Sequence, residues 1–223
     1  MNKLYPVIVM ALFSTGALAN VDGVYVQGSV GLSKLTAKHD SFGILLNTEK
    51  LTDDQALIRA SIGKQVGRVR YAMDYSDFGK VESVQTDVFE ADGGYHNGPY
   101  TETETVLDNI KVRSFGVSAI YDFPLHSAVN AYAGLRVGAN KIDAKQQSRT
   151  KTVYGKKELG TTEVASQHQQ AKTKIGVGVL AGVQYQLTSN VALDAGVEYN
   201  QLGKFDQIKA HQYGITAGLR YNF

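Results

Sequence analysis

The chain has 223 residues, enough for one domain or two small ones, and its 23 Lys+Arg nearly balance 21 Asp+Glu, so no general basic face invites nucleic acid. The absence of cysteine excludes disulfides, thiolate metal sites and thiol catalysis together. Only 3 prolines, against 23 glycines and 13 tyrosines, leave long stretches free of the residue most damaging to a β-ladder.

The first stretch, MNKLYPVIVMALFSTGALAN, carries a basic Lys3, an apolar run over residues 7–13 and the small-x-small triplet Ala17-Leu18-Ala19. It reads as a signal peptide over 1–19, leaving an exported chain of 20–223. The apolar run is too short for a membrane-spanning helix, and no later segment offers about 18 consecutive apolar residues. Two classes remain: a secreted soluble β-protein, or a barrel in an outer membrane.

Eight segments then alternate with a period of two. The first sets Val24, Val26, Gly28, Val30 and Leu32 against Tyr25, Gln27, Ser29 and Gly31. The second alternates Ala56, Ile58, Ala60 and Ile62 with Leu57, Arg59, Ser61 and Gly63, and the third Val69, Tyr71, Met73 and Tyr75 with Arg70, Ala72, Asp74 and Ser76. The fourth apolar set is Phe115, Val117, Ala119, Tyr121 and Phe123, the fifth Ala131 to Ala139 on odd positions, and the sixth Ile175 to Tyr185 likewise. The seventh runs from Val191 to Tyr199, and the chain closes on YGITAGLRYNF, with Tyr213, Ile215, Ala217, Leu219, Tyr221 and Phe223 in one parity. Each segment has the length of about 9–12 residues that a tilted strand needs to cross a bilayer.

The connections separate the two classes. KQVGR, PLHSA and TSN are short, whereas 33–54, 78–109 and 141–172 are long, with a shorter last one near 203–210. Strict alternation of short turns and long loops is the threading of an outer-membrane barrel, with turns in the periplasm and loops outside. The aromatics agree. Tyr71, Tyr121, Phe123, Tyr185, Tyr221 and Phe223 fall at the periplasmic ends, and Tyr75, Phe115, Tyr199 and Tyr213 near the outer ends. On the last strand, ten residues at about 3.3 Å each, tilted by about 40°, rise about 25 Å, the height of the apolar band. The expected fold is an all-β, eight-stranded antiparallel up-and-down transmembrane barrel with three long and one short extracellular loops.

The opposite parity holds Arg59, Arg70, Arg136 and Arg220 with Asp74, Asp194 and Glu198, and Asp122 near the periplasmic rim. Eight strands leave an interior that side chains fill. Charges there must pair. Two readings stay open: a packed ionic core that holds the barrel shut, or a narrow water or ion path. Catalysis is not expected. His126-Ser127 sits in a short turn, His39, His96 and His168 in loops and His211 at the outer rim, without a converging Ser/His/acid set or ligand spacing. Neither a metal nor another cofactor is expected.

The second long loop is acidic, with Glu82, Asp87, Glu90, Asp92, Glu102, Glu104 and Asp108. The third is basic, with Lys141, Lys145, Arg149, Lys151, Lys156, Lys157 and Lys172. They are either solvated faces that attract one another or a composite binding surface with Phe89, Tyr95, Tyr100 and Tyr154. The first loop adds FGILL, in which Phe42 and Leu45 are candidates for packing or for contact with a partner.

YVQ at 25–27, YAMDYS at 71–76, GVSAIYDF at 116–123, YAGLRVG at 132–138, VALDAGVEYN at 191–200 and the final GLRYNF together resemble the opacity family of outer-membrane proteins. The resemblance implies a Gram-negative cell-surface barrel filed among opacity-type porins, seated among outer-membrane lipid and lipopolysaccharide. It also implies an adhesin role through the loops, with a host-cell receptor or matrix protein as partner. A last strand ending in Tyr221 and Phe223 is, on that resemblance, read by the barrel-assembly machinery.

Overall fold

A computed structural model describes residues 22–39, 51–91, 100–154, 161–205 and 208–223. The segment 1–19, expected to be a signal peptide, and the candidates Phe42, Leu45 and Tyr95 lie outside the described residues. Eight antiparallel strands form a closed barrel in sequence order: β1 (Val24–His39), β2 (Leu51–Val66), β3 (Val69–Ala91), β4 (Tyr100–His126), β5 (Val129–Tyr154), β6 (Thr161–Gln186), β7 (Val191–Phe205) and β8 (Ile208–Asn222). Closure pairs β1 with β8, Val26 opposite Tyr221 and Val30 opposite Ala217, and Phe223 N donates to the Val24 carbonyl at 3.0 Å. Every backbone group in the lipid zone thereby finds a partner, which a bilayer demands of any strand that crosses it.

The alternation in the sequence sets which side chain meets which solvent. Outward residues such as Leu32, Ile175 and Ile215 are 66%, 67% and 66% exposed in the isolated chain, while their neighbours Ser33, Gly176 and Gly214 point inward or lie buried. A belt of exposed Val, Leu, Ile and aromatic side chains around the whole ring needs a lipid solvent. Tyr75, Phe115, Ala139 and Ile175 share one register row at its outer margin. At the other margin Tyr121 meets Phe123 edge-on at 4.8 Å, and Tyr221 meets Phe223 at 5.2 Å.

The periplasmic turns are tight. Gly67 adopts φ 61 in the β2–β3 turn, a left-handed conformation that costs glycine nothing. Thr188 Oγ1 accepts from Val191 N at 3.0 Å to fix the β6–β7 turn.

The outer side differs from the expected long loops. Residues 80–91 and 100–113 continue β3 and β4 as a paired hairpin, and 141–154 and 161–174 continue β5 and β6. The physical reason is legible in SVQTDVF and TETETVL, whose β-branched residues alternate as a ladder prefers. β4 and β5 stay paired from Tyr100 opposite Tyr154 down to Pro124 opposite Asn130. The two hairpins therefore form one four-stranded sheet standing above the membrane. Gly79 (φ 88) marks a bulge between Asp77 and Lys80 where β3 leaves the barrel wall.

Candidate functional site

The interior is built in layers, each from the inward parity of several strands. Nearest the periplasm, Arg70 donates from Nε and Nη2 to Asp122 Oδ1 at 3.0 and 2.7 Å. Arg220 donates to Asn222 Oδ1 at 2.7 Å and Gln65 Oε1 at 2.6 Å, and its guanidinium lies 4.1 Å from the Tyr25 ring centroid. One level up, the Tyr132 hydroxyl donates to Asp194 at 2.9 Å, and the Arg70 guanidinium stacks over the Tyr132 ring.

The central layer is the densest. Asp74 accepts from Arg136 Nη2 at 2.7 Å and Nε at 3.0 Å, and from Ser76 Oγ at 2.8 Å. Arg59 bridges Glu198 and Asp74 and donates to Ser76 Oγ at 2.7 Å, so two arginines and two acids close one network across β2, β3, β5 and β7. Arg136 also donates to Ser114 Oγ at 3.0 Å. Gly116 makes this possible, since a Cβ there would fall 2.6 Å from Arg136 Nε. Below this layer a cavity of about 50 Å³ is lined by Arg59, Arg70, Asp74, Tyr132, Asp194 and Glu198, room for a few waters.

Above it comes a layer that sequence reasoning missed. Leu35, Leu57, Phe78, Val81, Val112, Ile142 and Leu202 form a buried apolar cluster with Ile110 and Ala210 packed against it. Six of the seven continue an inward parity by two residues: Ser33 to Leu35, Arg59 to Leu57, Ser76 to Phe78, Ser114 to Val112, Asn140 to Ile142 and Asn200 to Leu202; Val81 rejoins it beyond the bulge, opposite Ile110. The outer mouth of the lumen is thus filled with hydrocarbon. The signal is present, but Leu35, Phe78, Val81 and Ile142 fall in stretches that read as loops, Val112 and Leu202 fall just beyond the alternating segments, Leu57 sits alone in a polar parity, and the bulge at Gly79 breaks the count.

Of the charged set named from sequence, the structure brings Arg59, Asp74, Arg136 and Glu198 together and places Arg70 on Asp122. It does not bring Arg220 and Asp194 into an ion pair. Among the described residues Arg220 hydrogen-bonds the amides of Gln65, Gln184 and Asn222, and Asp194 accepts from the Tyr132 hydroxyl. His211, expected at the outer rim with no serine in register beside it, stacks on Tyr199 with its Nδ1 2.7 Å from the phenol oxygen. His126 Nδ1 lies 3.0 Å from Ser127 Oγ in the exposed β4–β5 turn. Among the described residues, no three His, Asp or Glu side chains are placed to hold a metal ion.

On the projecting sheet, Val84, Val88 and Phe89 are each 62% exposed. Tyr100 stands opposite both Ala91 and Tyr154 at the top of the hairpins. Asp87, Phe89, Glu102, Glu104 and Asp108 share the axis-facing parity, and Lys141, Lys145, Arg149 and Lys151 share the outward one. Most of the acidic residues thus face away from most of the basic ones in one sheet, with Glu82 and Glu90 in the outward parity and Lys172 in the axis-facing one as exceptions. Near the base, Arg113 pairs with Asp143, and that hydrogen bond raises the Arg113 pKa further above its ordinary value. Lys111 pairs with Asp77 at 2.9 Å.

Comparison with known proteins bears on the same architecture. A protein of Haemophilus influenzae with no assigned function is 32% identical over the full length of both chains. Protein opa of Haemophilus influenzae is 31% identical over 73% of this chain and its own full length. The crystal structure of Neisserial surface protein A superposes with a TM-score of 0.52 at 28% identity, covering 91% of this chain and 98% of that one. A family model described as Opacity family porin protein matches residues 62–223, which takes in seven of the eight strands in part or whole. The chain belongs to the opacity family, as a β-barrel of the bacterial outer membrane.

Proposed function

We propose that the chain is a non-enzymatic adhesin whose projecting hairpins β3–β4 and β5–β6 hold a host-cell receptor or matrix protein. The observation that supports this reading most is the four-stranded sheet that stands clear of the outer aromatic row. From Ile175 to Thr161, 14 residues at about 3.3 Å and a tilt of about 40° reach about 35 Å above the belt. A barrel that only braced the envelope has no use for paired strands of that length in water. Exposed Phe89, Val84 and Val88 supply apolar contact area. Acidic and basic residues on opposite faces supply orientation, since charged rims steer encounter more than they add affinity. The apolar layer from Leu35 to Leu202 argues against a narrow channel, because an ion crossing it would lose its hydration without a replacement.

The test is to graft residues 78–109 and 141–172 onto an inert eight-stranded barrel and measure binding of the displaying bacteria to host epithelial cells. Transfer of binding is expected. Full surface display with no gain in binding would sink the proposal.

A further inference from the structure

The projecting sheet has an open edge. β6 pairs with β5 from Val153 opposite Thr161 down to Val129 opposite Tyr185, whereas its ladder with β7 begins only at Val177 opposite Gln201. Over residues 161–171, therefore, the ladder positions paired in the described structure lie on the β5 side alone. The other projecting edge, on β3, is blunted at its base by the bulge between Asp77 and Lys80, and carries Lys80, Glu82, Asp87 and Glu90. Bulges and charges are how proteins discourage strand addition. The β6 edge, TTEVASQHQQA, has no proline and no bulge, and Glu163 is its single carboxylate or ammonium. Residues 163–171 are all exposed.

Charge chooses the occupant. On the outward face next to this edge, β5 presents Lys145, Arg149 and Lys151, opposite Gln169, Ala165 and Glu163 of β6. Glu163, the register partner of Lys151, reaches diagonally to Arg149 at 3.0 Å, so one acid stands among these three cations. A groove of about 510 Å³ crosses this face, lined by Thr105, Leu107, Gln147, Arg149, Ala165 and Gln167. Ala165, the register partner of Arg149, lies between it and the open edge. A strand added beside β6 would set every second side chain on this face, two strand spacings or about 9.6 Å from β5, a gap that a glutamate and the long Arg149 or Lys145 side chain span over the small or neutral residues of β6.

We infer that residues 161–171 of β6 take up an extended acidic polypeptide segment as an additional strand. Its backbone completes the β6 ladder, and its carboxylates are read by Arg149 and Lys145. This rests on the adhesin reading and names the chemistry of the partner: main-chain hydrogen bonds hold the segment and alternate side chains select it.

The test uses the full chain in zwitterionic nanodiscs and a synthetic peptide of about a dozen residues alternating threonine with glutamate. Two control peptides replace glutamate by lysine, or carry N-methyl groups on alternate backbone nitrogens with the same side chains. Binding is read by fluorescence anisotropy, and its place by hydrogen exchange. The acidic peptide should bind and protect amides within 163–171. N-methylation should weaken it by about tenfold or more, and Arg149→Ala by several-fold, with the barrel's gel mobility unchanged. Equal binding of the N-methylated peptide would reduce the effect to charge attraction and overturn the inference. So would protection on β3 instead, equal binding of the lysine peptide, or no binding. Should the grafted hairpins confer adhesion while the acidic peptide is ignored, this inference falls and the adhesin proposal stands; the converse pair of results separates them the other way.

Discussion

Asp74→Ala removes the acceptor at the centre of the interior network. Asp74 is 4% exposed and serves Arg136, itself 3% exposed, through contacts of 2.7 and 3.0 Å. It also lies 3.5 Å from Arg59 Nε. After the substitution Arg59 keeps Glu198, but Arg136 keeps only Ser114 Oγ and the face of Phe78, whose centroid lies 5.8 Å from its guanidinium carbon. An uncompensated buried charge of this kind costs about 3–5 kcal/mol. Adding Arg136→Met removes the stranded charge, and the double variant should recover most of the loss, a coupling of about 2–3 kcal/mol between two residues in direct contact. Glu82→Ala, at the exposed Lys80–Glu82 pair, should change stability by less than about 1 kcal/mol. Urea titration in lipid vesicles gives the folded fraction from the mobility difference of unboiled and boiled protein, a readout that needs no tryptophan, which this chain lacks. An Asp74→Ala variant within about 1 kcal/mol of the parent, or a double variant as unstable as the sum of the two single ones, would refute the view that this network is desolvated and coupled.

Phe78→Ala should cost about 3–5 kcal/mol, the usual penalty for emptying an aromatic site in a packed layer. The parent protein should be silent in planar bilayers, and discrete conductance that shifts on neutralising Arg136 or Glu198 would overturn the closed-lumen reading. Phe223→Ala should leave refolding into vesicles within about 1 kcal/mol, because the ring lies at the barrel end against Tyr221 and the Phe223 N to Val24 bond is main-chain. In cells the same substitution should reduce outer-membrane assembly several-fold, and normal assembly would remove Phe223 as a signal.

Which side chain faces lipid was legible because the solvent changes at every residue along a membrane strand. Val30 and Gly31, or Tyr213 and Gly214, could hardly exchange roles, so a period of two survives in the sequence. The threading was legible for a related reason: KQVGR and TSN are too short to do anything but turn. The partners inside the barrel were less so. Parity says that Arg220 and Asp194 point inward, but which inward residue each meets depends on the stagger between strands, and Gln65 reaches Arg220 from 155 positions away in sequence. The hairpins failed for a third reason. Above the membrane both faces are wet, the apolar-polar contrast fades, and TETETVL reads as a polar loop unless its β-branched alternation is weighed by itself.

The apolar layer and the ionic layer beneath it act on one another. A salt bridge in a lumen open to water would sit in a high dielectric and contribute little. Phe78, Leu57, Val112 and Leu202 cover the Arg59–Glu198 and Arg136–Asp74 pairs from the outer side, and Phe78 also presents its ring face to Arg136. The hydrocarbon raises the cost of leaving any member of the network unpaired, which makes one pairing, and so one strand stagger, favoured over slipped alternatives. A slip of β3 against β4 would carry Phe78 away from Val112 and Asp74 away from Arg136 together. The barrel's register is thus specified twice at the same height, by shape above and by charge below. That leaves the sheet above Val81, Val112 and Ile142 free to vary in sequence, because the layers that align the strands lie at or below those residues.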